Sequence, residues 1–373
     1  METTSREYWE TIHKVEEQLL PFLRTFEAMQ EELLLGRERE AQERVHAAGE
    51  LLFPALTEEV AKLSPPETAL DFQTKFIQAI SSCGDAYAAL MKASGRSFAE
   101  WFLRSRQSWC QGLYLLYELR EQLSTLREYW VTPEALSSWQ QLETRAAEVI
   151  VPVGFTHQAR TNTHHEYSLY VPENYTPQQS WPLIVCLHGG YGQGNDYIWT
   201  WLRPAKSNGY LLLSPKSIGP TWSVLQPPLD IRSIQAMLTE ICETYSVDRK
   251  RVYLSGLSDG GTFSYIFGLA SAELFAGIAP IAGDFHPMMD PLLRQKKGIE
   301  KPFLVVHGAH DTIFPVETAR QACQLFERIG YKITYRELPN WGHAYPYKIN
   351  EQIVLPWFAE LGGESEGVGS ATE

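Results

Sequence analysis

Along residues 1–150 apolar side chains recur every three to four positions, whereas from about residue 165 they fall in short continuous runs. The first period is that of amphipathic helices, and the second is that of strands covered on both faces. Phe98, Trp101, Phe102, Trp109, Leu113, Leu116 and Tyr117 form one helical stripe. Ser97 with Glu100 has capping-box spacing, so a helix is expected to start there. Thr132 before Pro133 reads as an N-cap with proline at the first helical position. Ser64-Pro65-Pro66 should end an earlier helix, and Pro21 should kink or interrupt the first one. Four or five helices packed as an all-α bundle are the expectation for this half.

The later runs are 166–171 (EYSLYV), 182–187 (PLIVCL), 210–214 (YLLLS), 251–255 (RVYLS), 277–281 (GIAPI), 302–306 (PFLVV) and 333–337 (ITYRE). Helical patterns at 229–246, 261–271, 316–329 and 348–360 alternate with them. Alternation of this kind predicts an α/β fold with a mostly parallel sheet flanked by helices. The expected organisation is a helical bundle over 1–150, an α/β domain over 151–361 and a small, acidic, disordered tail over 362–373.

Composition narrows the class of function. The net charge of −13 argues against a nucleic-acid surface, which needs clustered Lys and Arg. Residues 1–150 hold 15 basic and 24 acidic side chains, against 17 and 21 in the remainder, so most of the acidity belongs to solvated helix faces. Five scattered cysteines without a CxxC pair read as reduced thiols rather than disulfides or a zinc site. No uncharged run approaches the ~20 residues needed to span a bilayer, and the first residues lack the apolar core of a signal peptide. A cytoplasmic protein is the resulting expectation.

The chemistry concentrates in four segments. The run 251–255 leads into Gly256-Leu257-Ser258-Asp259-Gly260, a G-x-S-x-G between a strand and a helix. That context is a nucleophile elbow, whose tight turn needs small residues two before and two after the serine. At the end of PLIVCL stands Leu187-His188-Gly189-Gly190-Tyr191-Gly192, a loop able to turn N–H groups towards an oxyanion. One donor is assigned to Asp259 and the other to Gly190 or Tyr191, without a choice between them. The base must follow the acid in chain order, and His343 is the one histidine after Asp311. Asp311, in the loop after PFLVV, is preferred as the acid over Asp284 and Asp290. Ser258 as nucleophile, His343 as base and Asp311 as orienting acid need neither metal nor organic cofactor.

Residues from about 165 to 360 resemble feruloyl esterases and polyhydroxybutyrate-depolymerase-like esterases of the α/β-hydrolase class. LHGGYG, YSVDRKRVYLSGLSDGG, HGAHDTIFP and NWGHAYP carry the resemblance. It implies hydrolysis of carboxylic esters, with Ser258, Asp311 and His343 in the triad positions. Relatives of this kind are often secreted, and the helical half lies outside their shared core. A small-molecule ester is the expected substrate; a peptidase, a thioesterase or a non-catalytic scaffold are the alternatives. His188, Trp199, Trp201, Trp222 and Trp341 are candidates to line the substrate pocket, although tryptophan at such positions is as often core. The bundle could cover the site, bind a partner or make a homo-oligomer.

Overall fold

The computed structural model describes residues 2–49, 52–146, 148–160 and 165–363. Two compact units emerge, Met1–Trp139 and Gln140–Glu373.

The first unit contains α1 (Glu2–Glu32), α2 (Glu38–Gly49), α3 (Leu52–Ala61), α4 (Leu70–Lys92) and α5 (Phe98–Glu118), followed by shorter turns. Pro21 does not interrupt α1. It sits on the exposed face, so the backbone acceptor that it leaves without a donor faces water, and the proline costs less than it would in a core. Helix α5 starts at Phe98 as expected, but the capping box does not form. A 3₁₀ turn over Gly95–Ser97 leads in, leaving Ser97 near φ −93° and ψ 2° rather than extended. Its hydroxyl donates to Ser94 O at 3.0 Å, and Glu100 pairs with Arg104 at 2.8 Å. Thr132 is extended before Pro133, yet its side chain makes no cap bond and a 3₁₀ segment follows. Of the predicted stripe, Phe98, Trp109, Leu113, Leu116 and Tyr117 are buried, while Trp101 and Phe102 are half-buried. Each large side chain removed from water contributes about 1.5–3 kcal/mol, which is what holds such helices together.

In the second unit the described residues form one eight-stranded sheet, in the order β1-β2-β4-β3-β5-β6-β7-β8. The strands are β1 (Gly154–Arg160), β2 (His165–Val171), β3 (Trp181–Leu187), β4 (Leu211–Pro215), β5 (Val247–Leu257), β6 (Gly277–Ile281), β7 (Pro302–Gly308) and β8 (Lys332–Leu338). Antiparallel pairing joins β1 to β2 and β2 to β4; every later pair is parallel. The connecting helices are α6 (Leu202–Asn208), α7 (Pro228–Thr244), α8 (Asp259–Ala270) and α9 (Val316–Ile329), with α10 (Leu355–Gly362) at the end. All seven residues of β3 and all five of β4 and β6 are buried, as central strands under two helical layers require. The sequence pattern missed β1. Its residues GFTHQAR lie at the sheet margin, with Phe155 and Thr156 half-exposed and His157, Gln158 and Ala159 exposed, so no apolar run marked them.

Helix α10 extends to Gly362, and Gly363 closes it in the left-handed region at φ 76°. The remainder of the expected tail, 364–373, lies outside the described residues. No helix among the described residues is long and apolar enough to cross a membrane.

The sheet order reverses direction about β3, with β4 on one side and β5 on the other. In an open parallel sheet such a switch point opens a crevice at the carboxyl ends of the strands. The loops after β3, β5, β7 and β8 all leave from that edge, and they contain the four segments of chemical interest.

Candidate active site

Strand β5 turns into α8 through Ser258, whose φ of 59° and ψ of −122° lie outside the regions favoured by L-residues. Two backbone bonds hold it there: Ser258 N–H donates to Ile281 O at 2.9 Å, and Ser258 O accepts from Thr262 N–H at 2.8 Å. The turn closes so tightly that a Cβ at Gly256 would lie 2.3 Å from Gly260 O, and one at Gly260 would lie 2.4 Å from Leu187 O. Both glycines are therefore demanded by backbone meeting backbone, as the elbow motif anticipated.

Ser258 Oγ lies 2.8 Å from His343 Nε2, and His343 Nδ1 lies 2.7 Å from Asp311 Oδ2. An ionised carboxylate only accepts, so Nδ1 carries the proton and Nε2 is left to accept from the serine hydroxyl. Asp311 Oδ1 accepts from the N–H groups of Ile313 and Phe314 at 2.9 and 2.8 Å. The Phe314 ring stands edge-on to the His343 imidazole. Burial pushes the Asp311 carboxyl upward, but the His343 hydrogen bond and charge, the Phe314 N–H and nearby His307 outweigh it. The carboxyl is held below its ordinary value. His307 sits 3.5 Å from Asp311 Oδ2, with its Nε2 2.8 Å from Phe314 O, so it braces the acid's loop. Asp284 is elsewhere: its N–H donates to Thr262 Oγ1, behind the elbow. Asp290 pairs with Arg294.

The loop after β3 lies against the elbow, since a Cβ at Gly189 would stand 3.4 Å from Ser258 Cβ and 4.0 Å from its Oγ. Tyr191 N–H donates to Pro220 O at 2.9 Å, which removes it from the two donors left open by the sequence. Gly190 keeps its N–H for other use. Asp259 is the first residue of α8, so its N–H has no acceptor within the helix.

His188 holds this loop rather than facing an open pocket. It is 1% exposed, its Nδ1 donates to Gly189 O at 2.7 Å and its Nε2 accepts from Ser217 N–H at 3.1 Å. Burial lowers its pKa from 6.5 to about 4, so it is neutral here. Trp222 packs on its ring and donates Nε1–H to His188 O. Trp222, Trp199, Trp201 and Trp341 are all buried: Trp199 stacks obliquely on Phe155, Trp201 lies near Phe358, and Trp341 O accepts from His310 N–H. The exposed apolar side chains on loops of this edge are Tyr191, Leu225, Met288 and Ile313. Sequence reasoning also missed Thr221 and Ser217, which bond Asp259 and His188 from a loop without any motif. Among the described residues, no cluster of three or more His, Cys, Asp or Glu side chains could hold a metal ion.

A mostly parallel sheet with a strand-turn-helix serine elbow and a histidine after the last strand is the α/β-hydrolase fold. Within that class the chain is similar in sequence to proteins named esterases. It is 31% identical over 152 residues to a bifunctional acetylxylan esterase/xylanase, XynS20E, of Neocallimastix patriciarum, covering 39% of this chain and 21% of that protein. It is 24% identical over 161 residues to a probable feruloyl esterase C of Aspergillus oryzae, covering 41% and 57%. A thermostable esterase of known crystal structure aligns with a TM-score of 0.47 at 23% identity, over 55% of this chain and 62% of that one. The chain thus spans between a fifth and three-fifths of the length of these two relatives. No family model matches it.

Proposed function

We propose that this protein cleaves carboxylic esters through an acyl-enzyme formed on Ser258. The observation that carries the reading is the unbroken hydrogen-bond relay from Asp311 through His343 to Ser258 Oγ. His343 Nε2 takes the hydroxyl proton as Oγ attacks the ester carbonyl. Asp311 fixes the tautomer and stabilises the imidazolium that forms. The N–H groups of Gly190 and Asp259 receive the oxyanion, and losing one such donor costs about 3 kcal/mol of transition-state stabilisation. His343 then returns its proton to the leaving alkoxide, and water activated by the same imidazole releases the acid.

Small or aromatic acyl esters are the proposed substrates, in keeping with relatives named feruloyl and acetylxylan esterases. A fluorophosphonate should label the chain at Ser258, and Ser258→Ala should abolish the label and lower kcat by roughly 10⁶. Retained turnover in that variant would remove Ser258 from the mechanism. A panel of p-nitrophenyl, feruloyl, thioester and peptide substrates separates the chemistries; peptide or thioester turnover without ester turnover reassigns the enzyme.

A further inference from the structure

The residue after the nucleophile is an aspartate, and its side chain has no counter-charge. Asp259 Oδ2 accepts from Thr221 Oγ1 at 2.5 Å and leans on the oxyanion loop, where a Cβ at Gly190 would lie 2.6 Å from it. Among the described residues no Lys, Arg or His pairs with this carboxylate, and Oδ1 has no hydrogen-bond partner. Lys216, on the loop after β4, donates instead to Gly192 O at 3.3 Å and feels Glu166 and Asp196. Asp259 is only half-buried, so Oδ1 can be reached from solvent.

We propose that the Asp259 carboxylate selects esters bearing a cationic group, such as a substituted ammonium, beside the scissile carbonyl. This rests on Ser258 as nucleophile, because the charge matters through its distance from the carbonyl under attack. That carbonyl oxygen becomes negative between the N–H groups of Gly190 and Asp259, and a lone carboxylate on the same residue opposes the change. The N-terminus of α8 offsets part of that repulsion. A substrate carrying its own cation within about 4–6 Å satisfies Oδ1 and reverses the sign of the interaction. An anionic ester meets repulsion in the ground state and again in the transition state. Discrimination here comes as much from excluding the wrong charge as from attracting the right one.

The test uses the full chain and three phosphonylating probes of matched size, with trimethylammonium, tert-butyl or carboxylate tails. Labelling of Ser258 should be at least about ten-fold faster with the cationic than with the anionic probe, and the ratio should shrink at high salt. Asp259→Asn should bring the ratio close to one. Thr221→Val removes the hydroxyl but keeps the charge, so it should preserve the ratio, which separates charge recognition from a disturbed loop. An unchanged ratio in Asp259→Asn, or equal rates for both charged probes in the native protein, overturns the inference while leaving the serine nucleophile in place. Failure of all three probes to label Ser258 overturns both.

Discussion

Each unit of this protein buries a carboxylate, and the two titrate in opposite directions. Glu16, on α1, is 1% exposed, and Asp311, after β7, is 6% exposed. Burial dominates at Glu16 and raises its pKa despite the Thr125 N–H at 2.7 Å and half-exposed His13 at 4.0 Å. At Asp311 burial acts the same way, but two backbone N–H groups, His343 at 2.7 Å and His307 at 3.5 Å overcome it. Depth alone therefore does not mark a functional acid. On the mechanism proposed above, what marks Asp311 is a set of donors that holds the charge against the cost of burial, aimed at a group that must itself become charged.

Asp311→Asn breaks the comparison most sharply. On the mechanism proposed above, the amide can accept from His343 Nδ1 only in one orientation, and it cannot stabilise an imidazolium. We expect kcat for an ester substrate to fall by about 10⁴, with KM little changed. Steady-state kinetics alongside a thermal melt checks this; a loss below ten-fold with the fold intact would remove Asp311 from the relay.

The contrast between these acids also explains what could be read in advance. Ser258, Asp311 and His343 could be proposed because chain order and strand ends confine them: Ser258 and Asp311 follow the buried runs of β5 and β7, and His343 follows the half-exposed β8. The seven runs fall on β2 to β8 within one or two residues at each end, except that β5 starts four residues before its run. The polar edge strand β1 offered no period, and the capping box at Ser97 lost to a preceding 3₁₀ turn that depends on Gly95. Pro21 was overestimated because its side of α1 faces water. Of the two possible loop donors, Tyr191 could be set aside only once its N–H was seen bonded to Pro220 O, a contact 29 positions away. That the tryptophans are buried could not be read in advance for a related reason. An indole at a loop near the sheet edge can face outward or prop the loop from below, and sequence spacing is the same in both cases.

Acidification should act on the sheet unit with a definite sign. His188 has its pKa lowered to about 4, against 6.5 when unfolded, so between these values the unfolded chain binds more protons. Stability is then full above pH 6.5 and declines as pH falls towards 4, by about 3 kcal/mol from this group alone. Asp311, with its lowered pKa, adds a further loss at more acid pH, below its unfolded value. Urea unfolding at pH 7 and pH 4.5 measures the slope. His188→Gln, which keeps a neutral hydrogen-bonding side chain, should flatten it; the same slope in both proteins would show that His188 does not carry the effect.

Glu16 supplies the smallest and opposite effect. Its pKa is raised on folding, so on acidification the folded chain takes up this proton first, and the group favours folding as pH falls through its folded pKa. At pH 7 the charge is held against its burial. Glu16→Gln keeps an oxygen for the Thr125 N–H while removing that charge, and gives up the long His13 contact and part of the smaller stabilisation from the Thr125 side chain and Leu126 N–H. We expect stability at pH 7 to be unchanged or higher by no more than about 1 kcal/mol, with ester turnover unaffected. The gain should vanish at acid pH, where the native Glu16 is already protonated. A loss of more than about 2 kcal/mol would instead mean that partners hold the Glu16 charge as they do that of Asp311, and the distinction between the two acids would collapse.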